Sequence, residues 1–387
     1  MRKFTKYAAV LIFLAISFSV AMEYLFHFIH ITPLEDPKPH VPEGNIFNNI
    51  FYRNDKSRAE YEMYFNGTYS LRDLLVKTWN TFSIYLFSSH EKVFTGEEGW
   101  YFLSNYIQDH LERDRDIRKN SDKILKMLDK LDSELDVNNI DCFMLIPPYK
   151  TRIYPEYFQG LPPDLTQESF LNKLLLSYVP KKGRIHFIDI YKVLLENKSI
   201  TQLYFKGDTH WTELAGFIAN DIFMEQLNAL ADVKFSKLGY TASPGLEKAK
   251  YGAEYTFMQG LQPLVEYTRK YYRVGGVPKI GLDDFKHWYY ANSAGNSSSL
   301  PSLVVIGDSY FHAFMDKHSM VEYFKATSYY NNDNVYMTGR DIAVPSDTRF
   351  ILLEMFEQNT TKLLTDAWWV DIFRVIQSVS PGTCLKH

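Results

Sequence analysis

Ser302-Leu303-Val304-Val305-Ile306-Gly307-Asp308-Ser309-Tyr310 reads as a short apolar strand that stops at a glycine and delivers a serine at its carboxyl end. Similar apolar runs recur at Ile140 to Pro148, Ile185 to Tyr191 and Phe350 to Phe356, interleaved with helical segments such as Thr212 to Leu227. Short apolar strands alternating with helices indicate an α/β fold with a mostly parallel sheet covered on both faces. In such sheets ligands bind beyond the carboxyl ends of the strands, which is where Ser309 falls.

A nucleophilic hydroxyl must stand clear of the sheet with backbone N–H groups near it, and a tight strand-to-helix turn supplies both. Gly307 permits close backbone approach there, and the N–H of Ser309 is the natural first oxyanion donor. Asp208-Thr209-His210-Trp211 provides the other two parts of an acyl-transferring serine site: an imidazole, and a carboxylate able to fix its tautomer. Both runs also have a purely structural reading. Asp308 or Ser309 can cap a helix beginning near Tyr310, and Asp208 or Thr209 can cap the helix carrying Leu214, Phe217, Ile218 and Ile222.

From Ile117 onward, Ile124, Leu128, Leu131 and Leu135 recur at helical spacing in a charged background, which predicts an amphipathic helix covering the sheet. The stretch Gly239 to Asn296, with Gly245, Gly252, Gly260, Gly275 and Gly276, reads as an excursion that can carry a lid or acceptor groove. Arg2, Lys3 and Lys6 precede the apolar run Tyr7 to Met22, and no comparable basic cluster follows until Lys56 and Arg58. This asymmetry predicts an N-terminal transmembrane helix, or a signal segment ending after Ala21, with the rest of the chain outside the cytoplasm. The predicted organisation is therefore residues 1–30 as membrane anchor or signal segment, 31–92 as a Pro-bearing connector, and 93–387 as the folded domain.

Composition narrows the function classes. With 387 residues, 46% of them hydrophobic, the chain can bury a sizeable core, and a net charge of −4 without a basic stripe excludes a nucleic-acid partner. The 28 tyrosines are suited to stacking on sugars, although core and rim positions account for aromatics as readily. Cys142 and Cys384 could pair outside the cytoplasm, but Cys142 lies in a strand-like run where a free buried cysteine is equally ordinary. No His/Cys cluster has ligand spacing and no phosphate-cradling glycine loop is present, so neither a metal nor a cofactor is expected. The sequons at Asn66, Asn197, Asn296 and Asn359 matter only in a eukaryotic secretory pathway.

Two further runs accompany the serine and histidine segments: Gly96-Glu97-Glu98-Gly99-Trp100-Tyr101-Phe102-Leu103, and Pro147-Pro148-Tyr149-Lys150-Thr151-Arg152-Ile153-Tyr154-Pro155. Taken in order, the four resemble the SGNH-hydrolase-like proteins of the alginate O-acetyltransferase group, related to the DHHW proteins. That group shows Gly-x-x-Gly-Trp-Leu-Phe, Pro-x-Lys-x-x-Ile-Tyr-Pro, Asp-x-His-Trp and a later Gly-Asp-Ser-Phe/Tyr. Thr209 stands where the DHHW name has histidine. The resemblance spans about Val93 to Asn359. It implies a three-layer α/β/α sandwich with permuted motif order, since ordinary SGNH hydrolases place the serine first and the histidine last. It further implies an exported enzyme that O-acetylates a polysaccharide beside a multispanning membrane acyltransferase that delivers the acyl group. On that resemblance Ser309 is the acylated nucleophile, His210 the general base and Asp208 its orienting acid.

Other candidates come from their positions. Lys150 and Arg152 could meet an anionic sugar, and Tyr149, Tyr154, Tyr310 and Trp211 could donate to an oxyanion or stack on a sugar ring. His312 is a rival base one turn beyond Ser309. Glu354, a carboxylate in an apolar strand, needs a partner if buried and would lie near the site. An esterase using the same three residues, and an anchored glycan-binding scaffold without catalysis, are the competing readings.

Overall fold

The computed structural model describes residues 76, 78–82, 93–158, 160–230, 240–248, 266–273, 287–291, 300–311, 320–332 and 344–379. The anchor expected over residues 1–30, nearly all of the connector, His312, Cys384 and most of the 239–296 excursion lie outside them. Among the described residues no helix is long and apolar enough to cross a membrane. The chain divides into two compact units, residues 1–95 with 254–264 and residues 96–253 with 265–387. The first unit includes strand β1 (Val93–Thr95). The second holds the main sheet and every described residue singled out above.

The second unit begins with β2 (Tyr101–Leu103) and helices α1 (Ser104–Lys119) and α2 (Ser121–Asn138). The strands of its main sheet are β3 (Asp141–Leu145), β4 (Ile185–Ile188), β7 (His287–Ala291), β8 (Ser302–Gly307), β9 (Ala326–Asn331) and β10 (Thr348–Glu354). They lie in the order β4-β3-β10-β8-β9-β7. The first five are mutually parallel, and β7 adds an antiparallel edge through its pairing with β9. Within the excursion, β5 (Tyr240–Lys248) and β6 (Tyr267–Arg273) form a separate antiparallel ribbon, while β7 joins the main sheet.

Alternation along the strands sends side chains to two cores, as a pleated strand requires. On one face Cys142, Met144, Val304, Ile306, Ile351 and Leu353 pack under α2, α3 (Phe170–Tyr178) and α5 (Asp366–Ser378). On the other, Phe143, Leu145, Leu303, Val305 and Leu352 pack with α4 (Glu213–Leu230). Helices on both faces make three layers, in keeping with an SGNH-hydrolase-like α/β fold. Ile124, Leu128, Leu131 and Leu135 form the buried stripe of α2. Cys142 is a free thiol inside the sheet, where burial pushes its pKa up and leaves it inert.

The Gly96–Gly99 pair has a steric origin. A Cβ on Gly96 would lie 2.2 Å from the carbonyl oxygen of Tyr157 and 2.7 Å from the Phe102 ring. Gly99 has φ +76°, the left-handed region that favours glycine. The turn they form sets Trp100 against Tyr154 and Tyr157, with ring centroids 4.3 and 4.8 Å away. Gly96→Ala must therefore displace backbone, and we expect it to cost about 1–3 kcal/mol in denaturant unfolding. An unchanged midpoint would show that the turn relaxes freely.

Candidate active site

Parallel register aligns the carboxyl ends of β3, β10, β8 and β9, with Glu354 opposite Leu145, Leu353 opposite Ile306 and Gly307 opposite Asn331. At this edge the chain turns from β8 through Asp308 into a helical segment that starts at Ser309. Buried hydrogen bonds fix the turn. The Asp308 N–H donates to Glu354 Oε2 at 2.8 Å, and the Asn332 N–H donates to the Gly307 carbonyl at 2.6 Å. The Tyr329 hydroxyl donates to the same carbonyl at 3.1 Å. The Asp308 carboxylate accepts from the Tyr310 N–H at 3.0 Å on one oxygen, and from the Phe356 N–H (2.7 Å) and Asn359 Nδ2 (2.9 Å) on the other. Asp308 thus caps the helical segment and ties it to the segment after β10. Ser309, its first residue, is partly exposed.

Residues 203–212 form a tight loop. Tyr204 and Trp211 pair as an antiparallel bridge, Phe205 N–H donates to the His210 carbonyl at 3.1 Å, and Thr212 N–H to the Leu203 carbonyl at 2.8 Å. Helix α4 begins only at Glu213, so neither Asp208 nor Thr209 caps it; the loop closes before the helix starts. Asp208 Oδ1 instead lies 2.6 Å from His210 Nδ1 and accepts the His210 backbone N–H at 3.0 Å. An ionised carboxylate only accepts, so this contact assigns the proton to Nδ1 and leaves Nε2 as the acceptor nitrogen. The Asp208 side chain is buried, while that of His210 is 17% exposed.

Tyr310 joins the two segments. Its hydroxyl donates to the Thr209 carbonyl at 2.6 Å, its carbonyl accepts from Trp211 Nε1 at 3.0 Å, and its ring centroid lies 5.2 Å from that of His210. The ring also stacks on Phe356 at 4.2 Å. Residues a hundred positions apart are thereby held beside one another, with Ser309 adjacent to the linking tyrosine.

The remaining described candidates are buried. Lys150 is 4% exposed, and its ammonium donates to the carbonyls of Phe205, Lys206 and Asp208 at 3.1, 3.0 and 2.9 Å. Tyr154 is buried with its hydroxyl accepting from the Leu203 N–H at 2.8 Å, and burial raises its pKa. Tyr149 is buried and its hydroxyl accepts from Arg113. Trp211 is fully buried against Tyr310. Glu354 is fully buried and, as its strand-end position implied, supports the turn before Ser309.

Arg152, 1% exposed, is the centre of a buried charge network. Its Nε donates to Glu357 Oε1 at 2.7 Å, its Nη1 to the Asp164 carbonyl at 2.7 Å, and its Nη2 lies 3.3 Å from Asp114 Oδ2. His110 Nε2 lies 3.4 Å from Glu357 Oε1. Burial pushes the Glu357 carboxyl up, but the Arg152 guanidinium and His110 outweigh it and hold the group well below the usual carboxylate range. His110, Asp114 and Glu357 offer ligand-type atoms within 4.8 Å of one another. Arg152 sits among them and already supplies the positive charge that a cation would bring.

Sequence reasoning passed over Glu266, Glu357 and Asn359. Glu357 and Asn359 follow the end of β10, where an acid or amide just past a strand's carboxyl end is a usable signal. Glu266 lies in the excursion and carries no motif. Its carboxylate accepts from the N–H groups of Lys206 (2.8 Å) and Gly207 (3.2 Å), and from Gln202 Nε2 at 2.5 Å.

Residues 93–275 match the family described as SGNH hydrolase-like domain, acetyltransferase AlgX. The match contains three of the four motifs and ends before Ser309. A probable alginate O-acetylase AlgJ of Azotobacter vinelandii is 24% identical over 161 residues, 41% of this chain. The chain spans 40% of the length of that curated relative. Among solved structures, Bacillus cereus PatB1 is similar with a TM-score of 0.48 at 16% identity, covering 71% of this chain and 98% of PatB1. The O-acetyltransferase domain of Pseudomonas putida AlgJ gives a TM-score of 0.44 at 13% identity, covering 74% of this chain and 99% of that domain.

Proposed function

We propose, for a chain that over residues 93–275 belongs to the SGNH hydrolase-like acetyltransferase AlgX family, that Ser309, His210 and Asp208 carry out acyl transfer to a polysaccharide hydroxyl. The observation that supports this reading is the 2.6 Å Asp208–His210 contact, together with the packing of Tyr310, the chain neighbour of the partly exposed Ser309, against the His210 ring. In the first step His210 Nε2 takes the Ser309 proton as the hydroxyl oxygen attacks the acyl carbonyl. The leaving group departs with that proton, and Ser309 holds the acyl ester. In the second step the same nitrogen takes the proton of a glycan hydroxyl that attacks the ester, then returns it to Ser309. The Asp208 carboxylate stabilises the imidazolium formed in both steps.

The charge asymmetry around Tyr7 to Met22 supports an anchored chain with this site outside the cytoplasm. There acetyl-CoA is not expected, so a multispanning membrane acyltransferase would supply the acyl group. The test is to give the purified full chain an activated acetyl ester, with and without oligosaccharide, and follow both products. Acetylated oligosaccharide at the expense of free acetate is expected. Acetate alone at saturating glycan would make the protein an esterase, and glycan binding with no acyl chemistry would make it a scaffold.

A further inference from the structure

Residues 205–208 lie outside helix and sheet ladder, yet five of their peptide groups are met by two oppositely charged side chains. Lys150 reaches it from the segment after β3 and donates to the carbonyls of Phe205, Lys206 and Asp208. Three carbonyls match the three N–H donors of an ammonium. Glu266 reaches the same loop from just before β6 and accepts the N–H groups of Lys206 and Gly207. It also holds Gln202, whose carbonyl accepts from Thr212 Oγ1 at 3.0 Å where the loop closes. A third element, β2, donates its Tyr101 N–H to the Lys206 carbonyl at 3.0 Å.

We infer that Lys150 and Glu266 form a charged bracket whose task is to position the Asp208–His210 pair, with Lys150 acting on the protein's own loop rather than on an anionic sugar. This rests on the acyl-transfer reading of Ser309 and His210. Charge-assisted hydrogen bonds are shorter and stronger than neutral ones, so the bracket fixes the backbone that carries the Asp208 carboxylate. A displacement of about 1 Å in such a pair costs roughly 10²-fold in rate even when no contact to substrate changes. The charges also meet their requirements in a buried setting: each is surrounded by peptide dipoles of the sign it needs, so neither is left unpaired.

The experiment uses the full-length protein and its Lys150→Met, Glu266→Gln and Glu266→Asp variants, acylated with p-nitrophenyl acetate in the absence of glycan. Rates are normalised to titrated active sites, and hydrogen exchange is followed over residues 203–211. Each variant is expected to slow Ser309 acylation, by on the order of 10²-fold for Lys150→Met and Glu266→Gln and less for Glu266→Asp, with KM for the ester within about threefold of wild type. Protection of the Lys206 and Gly207 amides should fall in the two Glu266 variants. If acylation per titrated site is unchanged, the two residues stabilise the fold only and the inference is overturned. It is equally overturned if Lys150→Met leaves acylation intact and, in a parallel transfer assay with oligosaccharide added, raises only the KM for glycan, because that is the signature of a sugar contact. Where Lys150→Met does not fold, the two Glu266 variants decide. If Ser309→Ala itself acylates at the wild-type rate, the reading of the site has failed, and the bracket stands or falls on the exchange of the 206 and 207 amides.

Discussion

Ser309→Ala is expected to abolish acyl transfer, a loss on the order of 10⁴-fold or more, because the variant has no atom on which the acyl group can be held. The protein should remain folded: Ser309 is partly exposed, and the turn around it is held by Gly307, Asp308, Tyr329 and Glu354 rather than by its hydroxyl. Asp208→Asn probes the same relay differently. An amide can donate towards the imidazole and select the wrong tautomer, which in serine triads lowers turnover by about 10⁴-fold with the geometry intact. Mass spectrometry of the chain after exposure to an acetyl ester supplies the direct check. An acetyl adduct should appear on Ser309 in the wild type, be absent in Ser309→Ala and be slowed in Asp208→Asn. Activity within tenfold of wild type in Ser309→Ala would remove the serine from the mechanism.

Arg152→Met is expected to be the most destabilising single substitution in the second unit. It removes the cation around which Glu357 and Asp114 are arranged, and breaking a buried ion pair on one side typically costs about 3–5 kcal/mol. At roughly 2–4 °C per kcal/mol for a domain of this size, Tm should fall by about 10 °C. The pH dependence gives a second signature. In the wild type the Glu357 carboxyl titrates below its unfolded value of ~4.3, so its contribution is fully present above that pH and is lost as pH falls through the lower folded value. Without Arg152, burial, the largest influence on this group, pushes the carboxyl up with His110 left to oppose it. The deficit of the variant relative to wild type should therefore shrink between pH 7 and pH 5, as Glu357 takes up a proton in the folded state. Arg152→Met with Glu357→Leu should recover part of the loss, since neither charge is then buried alone. Denaturant titrations at both pH values measure each statement, and a pH-independent deficit would contradict the account of the network.

Several parts of this molecule are legible along the chain. The apolar runs that became β3, β4, β8 and β10 have the length and flanking breaks of buried strands, and the stripe of α2 has helical period, because burial on a repeating geometry leaves a repeating pattern. β9 and β7 escape that reading. β9 is Ala-Thr-Ser-Tyr-Tyr-Asn, whose Thr327 and Ser328 are buried although polar, and β7, His-Trp-Tyr-Tyr-Ala, is a short aromatic strand at the sheet edge. The buried bonding of Lys150 and Arg152 is not legible in the sequence, because a basic side chain in a motif does not announce its carboxylate or carbonyl partners. Those partners lie up to 205 residues away for the Arg152–Glu357 pair, and such pairing is decided by topology rather than by local pattern.

By itself the sequence determined the α/β class, the buried face of α2, the strand that ends at Gly307 and the identity of the three residues proposed for catalysis. These follow from local periodicity and from the chemistry of short motifs, which depend on neighbours a few positions apart. Tertiary structure alone decided the strand order, the docking of Tyr310 on Thr209 and His210, the Arg152 network, and the convergence of Lys150 and Glu266 on one loop. Each of these joins groups far apart in the chain whose encounter is set by how the layers close, and no spacing within the sequence encodes that distance.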